Sequence, residues 1–104
     1  MERYCFTFQL KPGMEAEYQR RHDEMWPDLA KVIRDSGARN YTMFRRGLTV
    51  VGYCECHPDV ETAFGLIGET EVNSRWRAWF EDVIDRLTDD DGNLFALEPV
   101  WHQD

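Results

Sequence analysis

Residues 3 to 10, RYCFTFQL, alternate strictly: Tyr4, Phe6, Phe8 and Leu10 point one way, Cys5, Thr7 and Gln9 the other. A period of two is the signature of a strand. One face of this strand is aromatic, so the rest of the chain has to supply both neighbouring strands and a cover for that face.

The cover comes from two helical regions. After the turn KPG a first helix runs from about Gly13, and Pro27 breaks or kinks it, because proline lacks the amide donor and restricts Trp26 before it. A second helical piece starts at Pro27, carries Leu29, Val32 and Ile33 inward, and stops at Gly37, a residue suited to the left-handed conformation that ends helices. Next, NYTMFR and LTVVGYCEC are two β-rich runs joined by a short link containing Gly47, which reads as an antiparallel hairpin. After HPD, a short segment bears Val60, Ala63, Phe64 and Ile67. A longer helix is then expected, with Val72, Trp76, Trp79, Phe80, Val83, Ile84 and Leu87 at spacings of three and four. TDDDGN is a turn, and LFALEPVW a last strand whose Pro99 suggests an edge or an end.

This order predicts an α+β fold of the ferredoxin-like β-α-β-β-α-β type, as a single domain over residues 1–104. Helices cover only one face of such a sheet, yet Phe44, Val51 and Tyr53 are apolar residues on the other. A symmetric homodimer, in a dimeric α/β-barrel type of assembly, is the simplest closure for that second face.

With 20 acidic against 12 basic residues the net charge is −8, so the field repels phosphate backbones and anionic lipids. Nucleic acid and membrane partners are not expected; a neutral small molecule is not penalised. The N-terminal stretch has no signal-like apolar core, and no window approaches the roughly 18 apolar residues of a spanning helix, so a cytoplasmic location is expected. Three cysteines without a secretory context are expected to be free thiols. NYT at residues 40 to 42 is then a chance match to a glycosylation sequon.

The stretch EYQRRHDEMWPDL holds the chief candidate site. Tyr18 and His22 are four residues apart, one turn along the same helix face, in a stripe with Met14, Met25, Trp26 and Leu29. Tyr41 from the second strand and Trp76 from the last helix can enclose the same space. Aromatic faces with a few polar tips suit sugars, whose C–H faces stack while their hydroxyls hydrogen-bond. The bland alternative is a satisfied core histidine among packing aromatics. Other constellations are weaker. Cys54 and Cys56, with Cys5 and His57, invite a metal reading, but C-x-C within a strand splays poorly toward one ion. DDDGNLFALE resembles a calcium loop from Gly92 to Glu98 but has Leu87 at the first ligand position, so it reads as a solvated turn. No glycine-rich phosphate loop and no serine elbow is present. Chemistry without metal or cofactor then rests on acid and base groups, for which histidine is the natural side chain near neutral pH.

EYQRRHDEMWPDL, GARNYTMF and TEVNSRWRAWFEDV, in matching order and spacing over nearly the whole chain, resemble the L-rhamnose mutarotase family. The resemblance implies a ferredoxin-like dimer and cofactor-free interconversion of the α and β anomers of L-rhamnose. By the same resemblance, His22 matches the catalytic proton donor, and Tyr18, Tyr41 and Trp76 match sugar-contacting positions. One position departs: the family pattern has two adjacent tryptophans where this chain reads Trp76 followed by Arg77, a change that bears on sugar preference more than on reaction type. In the expected mechanism, protonated His22 donates to the ring oxygen of the sugar and takes the proton back on closure. Two other functions fit the same scaffold. One is a small monooxygenase, cofactor-independent or haem-handling with His22, His57 or His102 as axial ligand; the other is a dimeric module that binds a ligand without turning it over.

Overall fold

The computed structural model describes all 104 residues. Its central element is β1 (Glu2–Leu10), the alternating strand, which is hydrogen-bonded on both sides. On one side it pairs antiparallel with β3 (Thr49–Cys56) from Glu2 opposite Cys56 to Gln9 opposite Thr49. Beyond β3 lies β2 (Ala38–Arg46), joined to it by a hairpin in which Gly47 takes a positive φ of 58°. On the other side, β4 (Ile84–Arg86) pairs at Gln9 and Leu10, and the two-residue β5 (Phe95–Ala96) at Phe6 and Thr7. The sheet order is β2-β3-β1-β4, with β5 also on β1.

Four helices accompany this sheet: α1 (Glu15–Asp23), α2 (Pro27–Ser36), α3 (Val60–Gly68) and α4 (Glu71–Trp79). The break expected at Pro27 separates α1 from α2, with Trp26 extended at φ −71°, ψ 127° and proline opening the new helix, where its missing N–H is no loss. Gly37 ends α2 at φ 101°, and a Cβ there would lie 2.0 Å from the His57 carbonyl oxygen, so the chain reverses where only glycine fits. Asp59 and Thr70 cap the last two helices, accepting from the Thr62 and Asn73 amides at 2.8 and 3.3 Å. None of the helices is long and apolar enough to cross a membrane.

The β-α-β-β-α-β order holds, with each helical region split in two. The second helical region is shorter than its periodicity predicts. α4 ends at Trp79; the Val83 and Ile84 amides both donate to the Phe80 carbonyl in a turn, and Ile84–Arg86 joins the sheet. Without these residues and β5, the backbone of β1 would have an unpaired edge at Phe6 to Leu10, and the pairing satisfies it. The last strand is likewise two residues long rather than eight, and Val100 and Trp101 beyond Pro99 are 95% and 78% exposed.

Phe6, Phe8, Leu10, Val50, Cys54 and Cys56 are buried on the helix-covered face of the sheet, with Tyr18, Ala63, Ile67, Phe80 and Val83 packed over them. The opposite face keeps Val51 and Tyr53 half-buried and Phe44 60% exposed. Phe6 stands opposite Gly52, and a Cβ at that glycine would come within 2.4 Å of the phenyl ring. The far end of the ring therefore occupies the space that a side chain at position 52 would fill. Gly52→Ala is expected to lower stability by about 1–3 kcal/mol through overpacking, read as a reduced urea midpoint at unchanged slope.

Candidate active site

Between the helices and the covered face of the sheet lies a cavity of about 770 Å³, within the usual range for small-molecule sites. Of its 26 lining residues 18 are hydrophobic, so the few polar groups in it decide its chemistry. Phe6, Phe8, Tyr41 and Val50 contribute from the sheet, Tyr18 and His22 from α1, and Trp76 and Phe80 from α4 and the residue that follows it.

All four residues expected to form the site, Tyr18, His22, Tyr41 and Trp76, line this one cavity. The helical spacing of four sets the Tyr18 and His22 rings 5.4 Å apart, and the same spacing places Trp76 beside Phe80 at 4.9 Å. His22 meets the edge of Trp76 at 5.5 Å and Phe80 at 6.2 Å. Behind it, Trp26 lies 5.1 Å from Trp76 and stacks on Trp79 at 5.3 Å.

Arg21, next to His22, holds this arrangement together. Its side chain, 12% exposed, binds Asp82 through both carboxylate oxygens at 2.8 and 3.0 Å and also donates to the Glu17 carboxylate and the Trp79 carbonyl. The guanidinium further lies 5.4 Å from the centre of the Trp79 ring. One cation thus ties α1 to the end of α4 and fixes His22 against Trp76. The same guanidinium holds the Asp82 carboxyl below its ordinary pKa.

Burial lowers the pKa of His22, and a hydrogen bond to its own backbone and the neighbouring Asp23 carboxylate offset this only in part. A desolvated imidazolium is disfavoured, so the resting ring is neutral near pH 7, with one nitrogen free to accept a proton. Burial raises the pKa of the Tyr18 phenol. It raises that of Tyr41 as well, with the Cys54 thiol adding and Arg77 opposing. Both phenols therefore remain protonated donors. The Tyr18 hydroxyl is buried and finds no hydrogen-bond partner within the chain, a cost the fold bears at a position facing the cavity.

The other candidate residues are not brought together. Cys5 stands opposite Tyr53 on the outer face, whereas Cys54 and Cys56 are buried on the inner one with their sulfurs 3.7 Å apart. His57 is exposed at the approach to α3, and His102 is exposed with Asp104 as its partner at 2.8 Å. Asp89 accepts from the Asp91 and Asn93 amides at 2.9 and 3.0 Å, as in a solvated turn. Sequence reasoning placed Phe80 only on a core face and singled out none of Gln19, Asp23 and Asn73; all four line the cavity. Positions 19 and 23 share the period of four that singled out Tyr18 and His22, but their polarity, like that of Asn73, hid them.

A model of the L-rhamnose mutarotase family matches residues 3–103. The L-rhamnose mutarotase of Pectobacterium carotovorum subsp. carotovorum is 36% identical over 107 residues, covering 100% of both chains. That of Brucella anthropi is 34% identical over 103 residues, covering 97% of this chain and 95% of its own. The crystal structure of L-rhamnose mutarotase FA22100 from Formosa agariphila superposes with a TM-score of 0.79 over the whole of both chains at 22% identity, which shows the same fold. With the match running almost from end to end, this chain belongs to the L-rhamnose mutarotase family.

Proposed function

We propose that this protein interconverts the α and β anomers of L-rhamnose, or of a related 6-deoxy sugar, by acid-base ring opening at His22, as an isomerase without a cofactor. The observation that carries the reading is the single cavity that gathers a desolvated histidine, an unpartnered phenol and the face of Trp76 in a chain of this family.

The chemistry needs only proton movement. The O–H bond at the anomeric oxygen breaks and its electron pair forms the C=O bond; the bond from the anomeric carbon to the ring oxygen breaks, and that oxygen takes up a proton. Rotation of the aldehyde end and closure on its other face reverse these steps. Both oxygens are bonded to one carbon, so one imidazole can serve both. Neutral His22 accepts the proton from the anomeric hydroxyl and, now imidazolium, is the proton donor to the ring oxygen. The resting state thus differs from the protonated histidine expected from sequence, because burial favours the neutral ring. The Tyr18 hydroxyl gains in a sugar oxygen the acceptor it lacks, Tyr41 offers a second phenol, and Trp76 supplies a stacking face. Assistance of this kind is worth about 10²- to 10⁴-fold. In the same reading the outer face of the sheet, with Phe44, Val51 and Tyr53, closes a homodimer.

Exchange spectroscopy on the anomeric protons of equilibrated L-rhamnose, with L-fucose and D-glucose for comparison, tests the activity directly. Cross-peaks that require protein and favour rhamnose are expected; binding without exchange would leave only a ligand-binding module. His22→Asn is expected to fold and to remove the protein-dependent exchange. Because the neutral ring acts first and its pKa lies below the ordinary value of about 6.5, activity should be level at neutral pH and fall on the acid side. A rise on acidification would sink this order of steps. Tyr18→Phe removes an unsatisfied buried donor, so thermal unfolding should show stability unchanged or raised by about 1 kcal/mol while exchange slows.

A further inference from the structure

Two polar side chains that line the cavity have neither a part in the proton movement nor a side-chain partner in the chain: Asn73 and Arg77. They lie four residues apart on α4 and so share a face, with Trp76 beside them. Neither is engaged elsewhere in the chain. Asn73 uses only its backbone amide, toward the Thr70 hydroxyl, and Arg77 holds no carboxylate, whereas Arg20, Arg21 and Arg86 each do. Other polar lining groups are occupied. The Gln19 amide donates to Asp23 at 2.8 Å, the Thr42 hydroxyl to the Asn40 carbonyl at 3.1 Å, and Arg45 to the Gly47 carbonyl at 2.8 Å. Arg77 also acts on two phenols packed at the sheet: burial raises the pKa of Tyr4 and of Tyr41, and the guanidinium opposes it at both. Its charge is therefore felt inside the cavity as well as in solvent.

We propose that Asn73 and Arg77 form the hydroxyl-reading edge of the site, hydrogen-bonding two adjacent ring hydroxyls of a neutral sugar whose anomeric end meets His22. This rests on the reading of the cavity as a sugar site. A guanidinium only donates and an amide both donates and accepts, so together they match a pair of neighbouring hydroxyls, each of which has lone pairs to offer and one proton to place. Trp76 beside them takes the C–H face of the same ring. Asp23, which accepts from the Gln19 amide, also lines the cavity, so an anionic sugar would meet an acidic side chain there.

The test separates recognition from reaction by using methyl α-L-rhamnoside, an acetal that cannot open. Its binding to the wild type, Asn73→Ala and Arg77→Ala is followed by NMR titration. Each substitution is expected to weaken binding by about three- to tenfold, the loss of one hydrogen bond. Among methyl rhamnosides that each lack one ring hydroxyl, those missing a member of the pair should bind the wild type more weakly and lose nothing further in the variant that reads it. With free L-rhamnose, KM should rise by the same factor while kcat stays nearly constant. Equal binding by wild type and variants, an equal further loss with every deoxy glycoside, no binding of any glycoside by the wild type, or tighter binding of a hexuronate overturns the assignment. A wild type that binds the glycoside but leaves free rhamnose unexchanged sinks the mutarotase reading and spares this one.

Discussion

The Phe6 ring lies across Gly52 of the neighbouring strand, and the depth of the cavity depends on that contact. β1 is the one strand shared by both halves of the sheet, so its aromatic face is the floor on which the helices rest. Phe6 and Phe8 line the cavity from below; with a larger residue at position 52 the Phe6 ring would have to rise into the space a ligand needs. Close-packed side chains transmit such a displacement instead of absorbing it. The absence of a side chain at one buried position thus governs how much room remains above it.

The side walls depend on a different kind of force. α1 and α4 are short, and their mutual position is set by the partly buried Arg21 with two carboxylates, a carbonyl and an indole face around it. A bidentate guanidinium fixes direction as well as distance, which an apolar contact does not. Its neighbour His22 inherits that fixed direction. The Tyr18 hydroxyl, by contrast, gains nothing from the fold that surrounds it, and such an uncompensated polar group is more readily understood from the ligand's side than from the protein's.

Much of this was legible in the sequence because the signals were local. The period of two in residues 3 to 10, Pro27, Gly37 and the Gly47 hairpin each act on their own backbone, and each has the expected effect. Tyr18, His22, Tyr41 and Trp76 were found for a related reason: an aromatic or titratable group on an apolar stripe stands out, and all four meet in one cavity. The end of α4 was not legible. No glycine or proline separates Trp79 from Ile84, and the apolar spacing runs through the turn unchanged, so only the unpaired edge of a distant strand decides that Ile84–Arg86 leaves the helix. Asn73 was hidden by its polarity, since its position depends on what α4 faces and periodicity alone does not give that. Charge alone does not separate the members of the run around Arg20: the Arg20–Glu24 pair is exposed, whereas Arg21 beside it is the clamp.

The four tryptophans are unevenly placed. Trp26, Trp76 and Trp79 lie within 5.1 to 5.6 Å of one another beside the cavity, while Trp101 stands alone and exposed. Indoles this close share their electronic excitation, so their ultraviolet dichroism belongs to the trio as a coupled chromophore and depends on the angles between the rings. The tilt of Trp76 against its two neighbours is thereby written into an optical signal that needs no label. A ligand resting on that ring reaches the coupled trio directly, and the exposed indole contributes a constant background against which the change is read.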